Sequence, residues 1–166
     1  LNDVLTDANF EVANKNKQLK IDDIPKKTVV IDSMMFCRAV ENVLRNAIRH
    51  SKLVTHITFS EDAQHWCIHI TDDGDGLTIE ECERIFSPFY RATLARERES
   101  GGVGLGLSIA KQIIDKMEGE LDITTEEGKG SCFDIVIPIK KPSAKKQEMS
   151  DTDSLPSTLL ALPLSI

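Results

Sequence analysis

The sequence predicts an α+β fold, a two-layer sandwich in which one mixed sheet is covered by helices on one face. Three observations carry that expectation. Helical and extended periodicities alternate along the chain. Two pairs of extended segments are joined by short polar or glycine-bearing turns, which read as hairpins and therefore as antiparallel pairing. The longer helical segments carry one apolar stripe each, which needs a sheet or another helix to bury it. The 166 residues, 40% hydrophobic and 28% charged, have the size and composition of one ordinary domain with a real core.

The net charge of −7 argues against bulk nucleic-acid binding, which needs a basic face. The four cysteines, Cys37, Cys67, Cys82 and Cys132, contain no C-x-x-C pair. His65 and His69 flank Cys67, but no second cluster of ligands accompanies them. Neither a zinc site nor a disulfide framework is expected, and a reducing compartment fits. No secretory signal and no apolar run long enough to span a bilayer is expected, so a membrane link would lie outside these residues.

Leu1, Val4, Leu5, Ala8 and Val12 recur at helical spacing and predict a helix over 1–15 without a strong N-terminal cap. A turn at 14–17 leads to a short edge strand over 18–22, closed by Pro25, and a second short strand is expected over 29–31. Asp32 and Ser33 then offer an N-cap for a helix over 34–50. Its apolar stripe is Met35, Phe36, Ala39, Val40, Val43, Leu44 and Ala47. Asn42, Asn46 and Arg49 share another face of that helix. Asparagine is a mediocre helix former, so two on one face call for a reason, although a solvated face would read the same way. A strand over 54–60, a turn over 61–64 and a strand over 65–71 form a hairpin, with Trp66, Ile68 and Ile70 on one side. His65 and His69 fit ordinary strand positions better than metal ligation.

That strand runs into Asp72-Asp73-Gly74-Asp75-Gly76-Leu77. The run is not an EF-hand: Glu83 stands at the twelfth position, but Gly74 occupies the third, where a ligand is required, and no helix precedes it. Thr78 with Glu81 has capping-box spacing for a short helix. The segment Phe86-Ser87-Pro88-Phe89-Tyr90 is a loop anchored by its rings, and the charged stretch 91–100 reads as a solvated turn or a lid. Glycines 101–106 then open a helix that runs to Met117. Glycine backbone at a helix start suits an anion, because free N–H groups and a partial positive charge lie there. The dinucleotide register fails, since Leu107 stands where the third glycine belongs. A P-loop fails because Leu107 also stands where its lysine belongs. Gly119 is expected at the C′ position of this helix. Strands over 120–125 and 131–139 flank a tight turn, and 142–166 reads as a disordered tail.

Taken together, in this order and spacing, these polar signals closely resemble the catalytic ATP-binding domain of bacterial sensor histidine kinases. That family has the Bergerat, gyrase-like ATPase fold, shared with type II topoisomerases, heat-shock chaperones and mismatch-repair proteins. Glu41-Asn42-Val43-Leu44-Arg45-Asn46-Ala47 looks like the N box. Asp72-Asp73-Gly74-Asp75-Gly76 looks like the first glycine box, and Phe86-Ser87-Pro88-Phe89-Tyr90-Arg91 like the F box. Gly102-Val103-Gly104-Leu105-Gly106-Leu107 looks like the second glycine box, and Gly128-Lys129-Gly130-Ser131-Cys132-Phe133 like the final glycine turn. The start of the chain and the lid look most like the Cpx-type envelope-stress kinases.

The resemblance implies ATP and Mg²⁺ as cofactors and assigns roles. Asn46 would offer its side-chain oxygen to Mg²⁺, a hard cation that prefers oxygen. Asn42 would assist through water or phosphate, and Arg49 would bind phosphate. Asp72 would accept the adenine amino group, and Gly74 and Gly76 would let base and ribose approach the backbone. Gly102, Gly104 and Gly106, in a box completed by Val103, Leu105 and Leu107, would hold the phosphates. Phe89, Tyr90, Arg91 and the lid would close over them. His50 stands where the family usually has a tyrosine lining the adenine pocket, and Ser131 where threonine is common.

The hydrolytic relatives carry a glutamate four residues before the Mg²⁺ asparagine. Here that position is Asn42, which cannot take a proton, while Glu41 lies about 100° around the helix. ATP is thus expected to be held for phosphotransfer rather than hydrolysed. The acceptor histidine is not found, since His50, His56, His65 and His69 lack its context. The chain is therefore expected to be a protein-histidine kinase domain that does not autophosphorylate alone. Residues 1–15 would join it to a dimerisation hairpin, 16–141 would form the catalytic domain, and 142–166 the tail. The implied partners are that hairpin, a second copy in a homodimer and a response regulator, in the cytoplasmic portion of a bacterial inner-membrane protein. An ATP-hydrolysing clamp or chaperone of the same fold is the alternative, and a nucleotide-binding regulatory module without catalysis is a third reading.

Overall fold

The computed structural model describes residues 1–25, 30–91 and 103–139. Along them run α1 (Asn2–Asn14), β1 (Gln18–Ile21), α2 (Ser33–His50), β2 (Val54–Glu61), β3 (His65–Asp72), α3 (Ile79–Arg84), α4 (Gly106–Lys116), β4 (Glu120–Glu126) and β5 (Gly130–Pro138). The strands form one mixed sheet in the order β1-β2-β3-β5-β4. The β1–β2 pair is parallel and the others are antiparallel. Expectations that fall on 92–102 (the lid, Gly101 and Gly102), on Val29 and on 140–166 lie outside the described residues.

Alternation within each strand puts one set of side chains inward. Ile57, Ile70, Phe133 and Ile123 make one cross-strand row, and Phe59, Ile68, Ile135 and Leu121 the next. Helices α1, α2 and α4 contribute Leu5, Ala8, Val12, Val40, Val43, Leu44, Ala47, Ala110 and Ile114 to the same buried cluster. Trp66 is wedged against Phe36 and Phe59, with ring centroids 5.9 and 5.8 Å away. The covered side of the sheet is therefore an apolar layer, as the α+β reading requires.

The helix ends follow local chemistry. The Asp32 carboxylate accepts from Met35 N at 3.1 Å, and the Thr78–Glu81 capping box is complete. α1 begins at Leu1 without a side-chain cap. Two expectations are corrected. Gly119 is not the left-handed residue after α4: Glu118 is, with φ of 60°. Glu118 N–H donates to Asp115 O and Gly119 N–H to Ile114 O, both at 3.0 Å, which closes a Schellman end. Gly119 is needed instead for closeness, because a Cβ there would stand 2.5 Å from Val136 O. Val30 and Ile31 are not in a strand. The apolar run is used by packing Ile31 against the core as the chain turns into α2.

The joint between α2 and β2 is fastened from two sides. Lys17 Nζ donates to the carbonyls of Ile48 at 2.7 Å, Arg49 at 3.2 Å and Ser51 at 2.5 Å, a cation at the negative end of α2. The Asp73 carboxylate accepts from the backbone N–H groups of Lys52 at 2.8 Å, Leu53 at 3.0 Å and Val54 at 3.1 Å. Partial burial pushes the Asp73 carboxyl upward, but the N–H donors of Leu53, Val54 and Lys52 outweigh it and hold the group below its ordinary value of 3.8. Asp73→Asn is expected to cost on the order of 2 kcal/mol at neutral pH, the scale of hydrogen bonds to a charged group. A carboxyl depressed on folding stabilises above its unfolded pKa and loses that contribution as pH falls through the folded one. The gap between wild type and variant should therefore close as pH drops below 3.8, measured by urea unfolding across acid pH.

Candidate functional site

Asp72 ends β3 on the inward side and is only 3% exposed. Its Oδ1 accepts from Gly74 N at 2.9 Å. Burial pushes its carboxyl above the ordinary range, and the N–H groups of Gly74 and Ser131, with nearby His50, offset that only in part. Thr55 lies opposite Asp72 in the β2–β3 register. Its Oγ1 is buried and finds no hydrogen-bond partner among the described residues. A buried carboxylate beside an unpaired hydroxyl is an unfinished polar site, which a ligand donor and a water would complete. Thr55 was missed in the sequence; its one signal there is a hydroxyl in an inward row that continues as Ile57 and Phe59.

The glycines around Asp72 are required by the protein's own backbone. A Cβ on Gly74 would stand 2.6 Å from both Asp72 Oδ1 and His50 O. Gly76 has φ of 70°, and its Cβ would collide with Glu126 O. Gly130 has φ of 104°, and its Cβ would overlap Asp72 O. Ser131, 8% exposed, places its hydroxyl 3.0 Å from Thr125 Oγ1, which in turn accepts from Leu77 N at 2.9 Å. The end of α2, the β3–α3 loop and the β4–β5 turn therefore converge on one carboxylate.

Midway along α2, Asn42 meets the start of α4. Its Oδ1 is 3.3 Å from where a Gly106 Cβ would be, so the two helices are in tight contact here and a larger residue would need the Asn42 side chain to give way. Asn46 is half-buried one turn further along the same face. α4 begins after Leu105 with no side-chain cap, leaving its first-turn N–H groups without the acceptor that α2 and α3 have. Just before it, Gly104 has φ of 74°, and its carbonyl accepts from Phe89 N at 2.9 Å. The aromatic loop is thus stitched to the glycine segment. Phe89 is itself left-handed at φ of 64° and 69% exposed, and Tyr90 lies under the Arg84 guanidinium at 4.5 Å.

The remaining expected residues are placed as follows. Arg49 and His50 are exposed at the end of α2, and Arg91 is exposed beyond the aromatic loop. Val103 is exposed and Leu105 half-buried. The Leu107 side chain belongs to the core, which leaves only its backbone for a ligand. Glu41 turns to the α1 side of α2. It pairs with Arg45 at 2.8 Å and lines a groove with Val4, Asp7 and Glu11. The donor set fits the expected ligands: amide oxygens suit a hard cation, and uncapped N–H groups suit phosphate.

A group raised on folding keeps its proton where the unfolded chain has lost it. The stability it supports is present below the unfolded pKa and declines as pH rises through the folded one. Asp72→Asn should remove that decline. The difference in Tm between wild type and Asp72→Asn should shift against the wild type as pH rises above 3.8, which thermal melts over a pH series will measure.

Residues 31–141 match the model of the family described as histidine kinase-, DNA gyrase B-, and HSP90-like ATPase. The chain is 32% identical over 146 residues to the sensor protein CiaH of Streptococcus pneumoniae, covering 86% of this chain and 33% of that protein. It is 35% identical over 142 residues to the sensor histidine kinase CpxA of Escherichia coli, covering 85% and 31%. Its backbone resembles that of the mycobacterial sensor histidine kinase MprB with a TM-score of 0.68 at 29% identity, covering 82% of this chain and 94% of that one. The chain spans about a third of the length of these curated relatives.

Proposed function

This chain belongs to the histidine kinase-, DNA gyrase B-, and HSP90-like ATPase family, and on that premise we propose that it is the ATP-binding catalytic domain of a two-component sensor histidine kinase. Its fold is that of the family, and its ligand is ATP. The γ-phosphoryl group passes from the β–γ bridging oxygen of ATP to an imidazole nitrogen, leaving ADP. That imidazole belongs to a dimerisation hairpin joined through residues 1–15, and 16–141 act as the catalytic unit.

The observation that carries this reading is the division of α2. Asn42, which cannot take a proton, faces the start of α4, while Glu41 pairs with Arg45 on the α1 side. No carboxylate among the described α2 residues stands where an attacking water would need a base, which supports a nucleophile supplied from another element. Asp72 would accept the adenine amino group, with Thr55 joining through water. Asn46, assisted by Asn42, would hold Mg²⁺, which supplies charge neutralisation at the phosphates. Arg49 and the first-turn N–H groups of α4 would face the phosphates. Phe89, Tyr90, Arg91 and Val103 would line the open side, and His50 would take the place of an aromatic neighbour of the base.

The response regulator and a second copy of the chain are partners of the whole kinase. No helix among the described residues is long and apolar enough to cross a membrane. The domain would sit in the cytoplasmic portion of an inner-membrane protein.

The test is transfer in trans. The chain is mixed with labelled ATP, Mg²⁺ and a separate helical hairpin that carries the acceptor histidine. Label should appear on the hairpin and not on the chain alone. Asn46→Asp should reduce transfer at least tenfold, and Asp72→Asn should weaken ATP binding by a similar factor with the fold intact, as one lost charge-assisted contact of roughly 1.4 kcal/mol or more requires. Steady phosphate release that Glu41→Ala abolishes would instead favour a hydrolytic clamp.

A further inference from the structure

The face of the sheet turned away from the helices gathers three chemically different metal-binding groups. His69 on β3 lies directly opposite Asp134 on β5, and Cys132 is two residues before Asp134 on the same side of that strand. A ring nitrogen of His69, Cys132 Sγ and a carboxylate oxygen of Asp134 all lie within 4.8 Å of one another. His69 Nδ1 is 2.6 Å from Asp134 Oδ1, and Cys132 Sγ is 3.5 Å from the same oxygen. We propose that this triad is a binding site for a zinc-type divalent cation, separate from the nucleotide site.

The donor set decides the class of ion. One imidazole, one thiol and one carboxylate suit Zn²⁺ and its borderline neighbours, whereas Mg²⁺ and Ca²⁺ favour oxygen alone. Bonds of about 2.0–2.3 Å in tetrahedral array put donor atoms roughly 3.3–3.8 Å apart. The Cys132–Asp134 spacing already meets this. The His69–Asp134 contact needs to open by less than about 1 Å, a small side-chain rotation.

The surroundings hold the three groups in place. Ser60 Oγ lies 2.7 Å from His69 Nε2, so it can accept the proton of the ring nitrogen that faces away from the triad. Metal-bound histidines commonly have such a partner on the second nitrogen, which fixes tautomer and ring direction. The Thr71 hydroxyl donates to Cys132 Sγ at 3.3 Å. All three ligand residues are half-buried, so the site is open to an ion yet not fully washed by water. Asp122, opposite Asp134 on β4 and exposed, shares that face, and a water can supply the fourth ligand. Cys132 and Thr71 adjoin Ser131 and Asp72 in sequence, so a bound cation would cross-link β3 and β5 behind the polar floor of the other face.

The test uses Co²⁺ as an optical stand-in for Zn²⁺ on the full 166-residue chain, reduced and free of oxygen. The expected result is one equivalent of Co²⁺ with a thiolate-to-cobalt absorption band, displaced by Zn²⁺. Cys132→Ser should abolish the band, and Cys67→Ser, which alters the neighbouring thiol on the same face, should leave it. His69→Gln and Asp134→Asn should each weaken Co²⁺ binding at least tenfold. Both leave the core untouched, so they decide the matter even if Cys132→Ser folds poorly. Absence of the band, its survival in Cys132→Ser, or unchanged affinity in His69→Gln would each overturn the proposal and leave the His69–Asp134 contact as a cross-strand ion pair only.

Discussion

Two consecutive carboxylates at the end of β3 organise the rest of the molecule. A strand sends neighbouring side chains to opposite sides, so Asp72 and Asp73 cannot share an environment. Asp73 faces the chain that leaves α2 and gathers three of its N–H groups. That contact sets where α2 ends relative to the sheet. Asp72 faces inward, where desolvation outweighs its hydrogen bonds and pushes its carboxyl up, whereas at Asp73 the three N–H donors outweigh a partial burial and hold the carboxyl down. Because Asp73 and Lys17 hold the α2–β2 joint, the His50 carbonyl comes to rest over Gly74, and Asp72 is roofed by the helix that carries both asparagines.

The glycines follow from the same constraint. Gly74, Gly76 and Gly130 sit where three backbone segments crowd around one carboxylate, and a Cβ at any of them would meet backbone oxygen. Gly104 does the same against the aromatic loop, where a Cβ would stand 2.8 Å from Tyr90 O, and Gly106 lies in tight contact with the Asn42 side chain midway along α2. A helix start that approaches this closely keeps its N–H groups uncapped and near the Asn42 side chain. This differs from a P-loop, in which a lysine lies within the phosphate cradle. Here the groups suited to cation and phosphate stand on separate helices brought together by small residues.

Much of this was readable along the chain. Inward rows such as Trp66, Ile68 and Ile70 repeat every second residue, and the α2 stripe repeats at helical spacing. Both periods are local, so every strand and helix in the described residues was expected within a residue or two. Caps made by Asp32, Thr78 and Glu81 were also local. The expectation failed where the reason was not local. Val30 and Ile31 have strand composition, but a strand needs a neighbour to pair with. Gly119 has the residue type of a C′ position, yet the limit on it is the approach of β5, which no local rule contains.

The sequence by itself determined the periodicities, the turns and the residue types whose order marks the family, because these depend on neighbours a few positions apart. The tertiary structure alone decided which groups share an environment. It put Thr55 beside Asp72 from another strand, turned Glu41 toward α1 and Asn42 toward α4, and set His69 against Cys132 and Asp134. These pairings depend on strand register and on how tightly helices approach, and they join groups from 17 to more than 60 residues apart whose meeting is fixed only when the core closes around them.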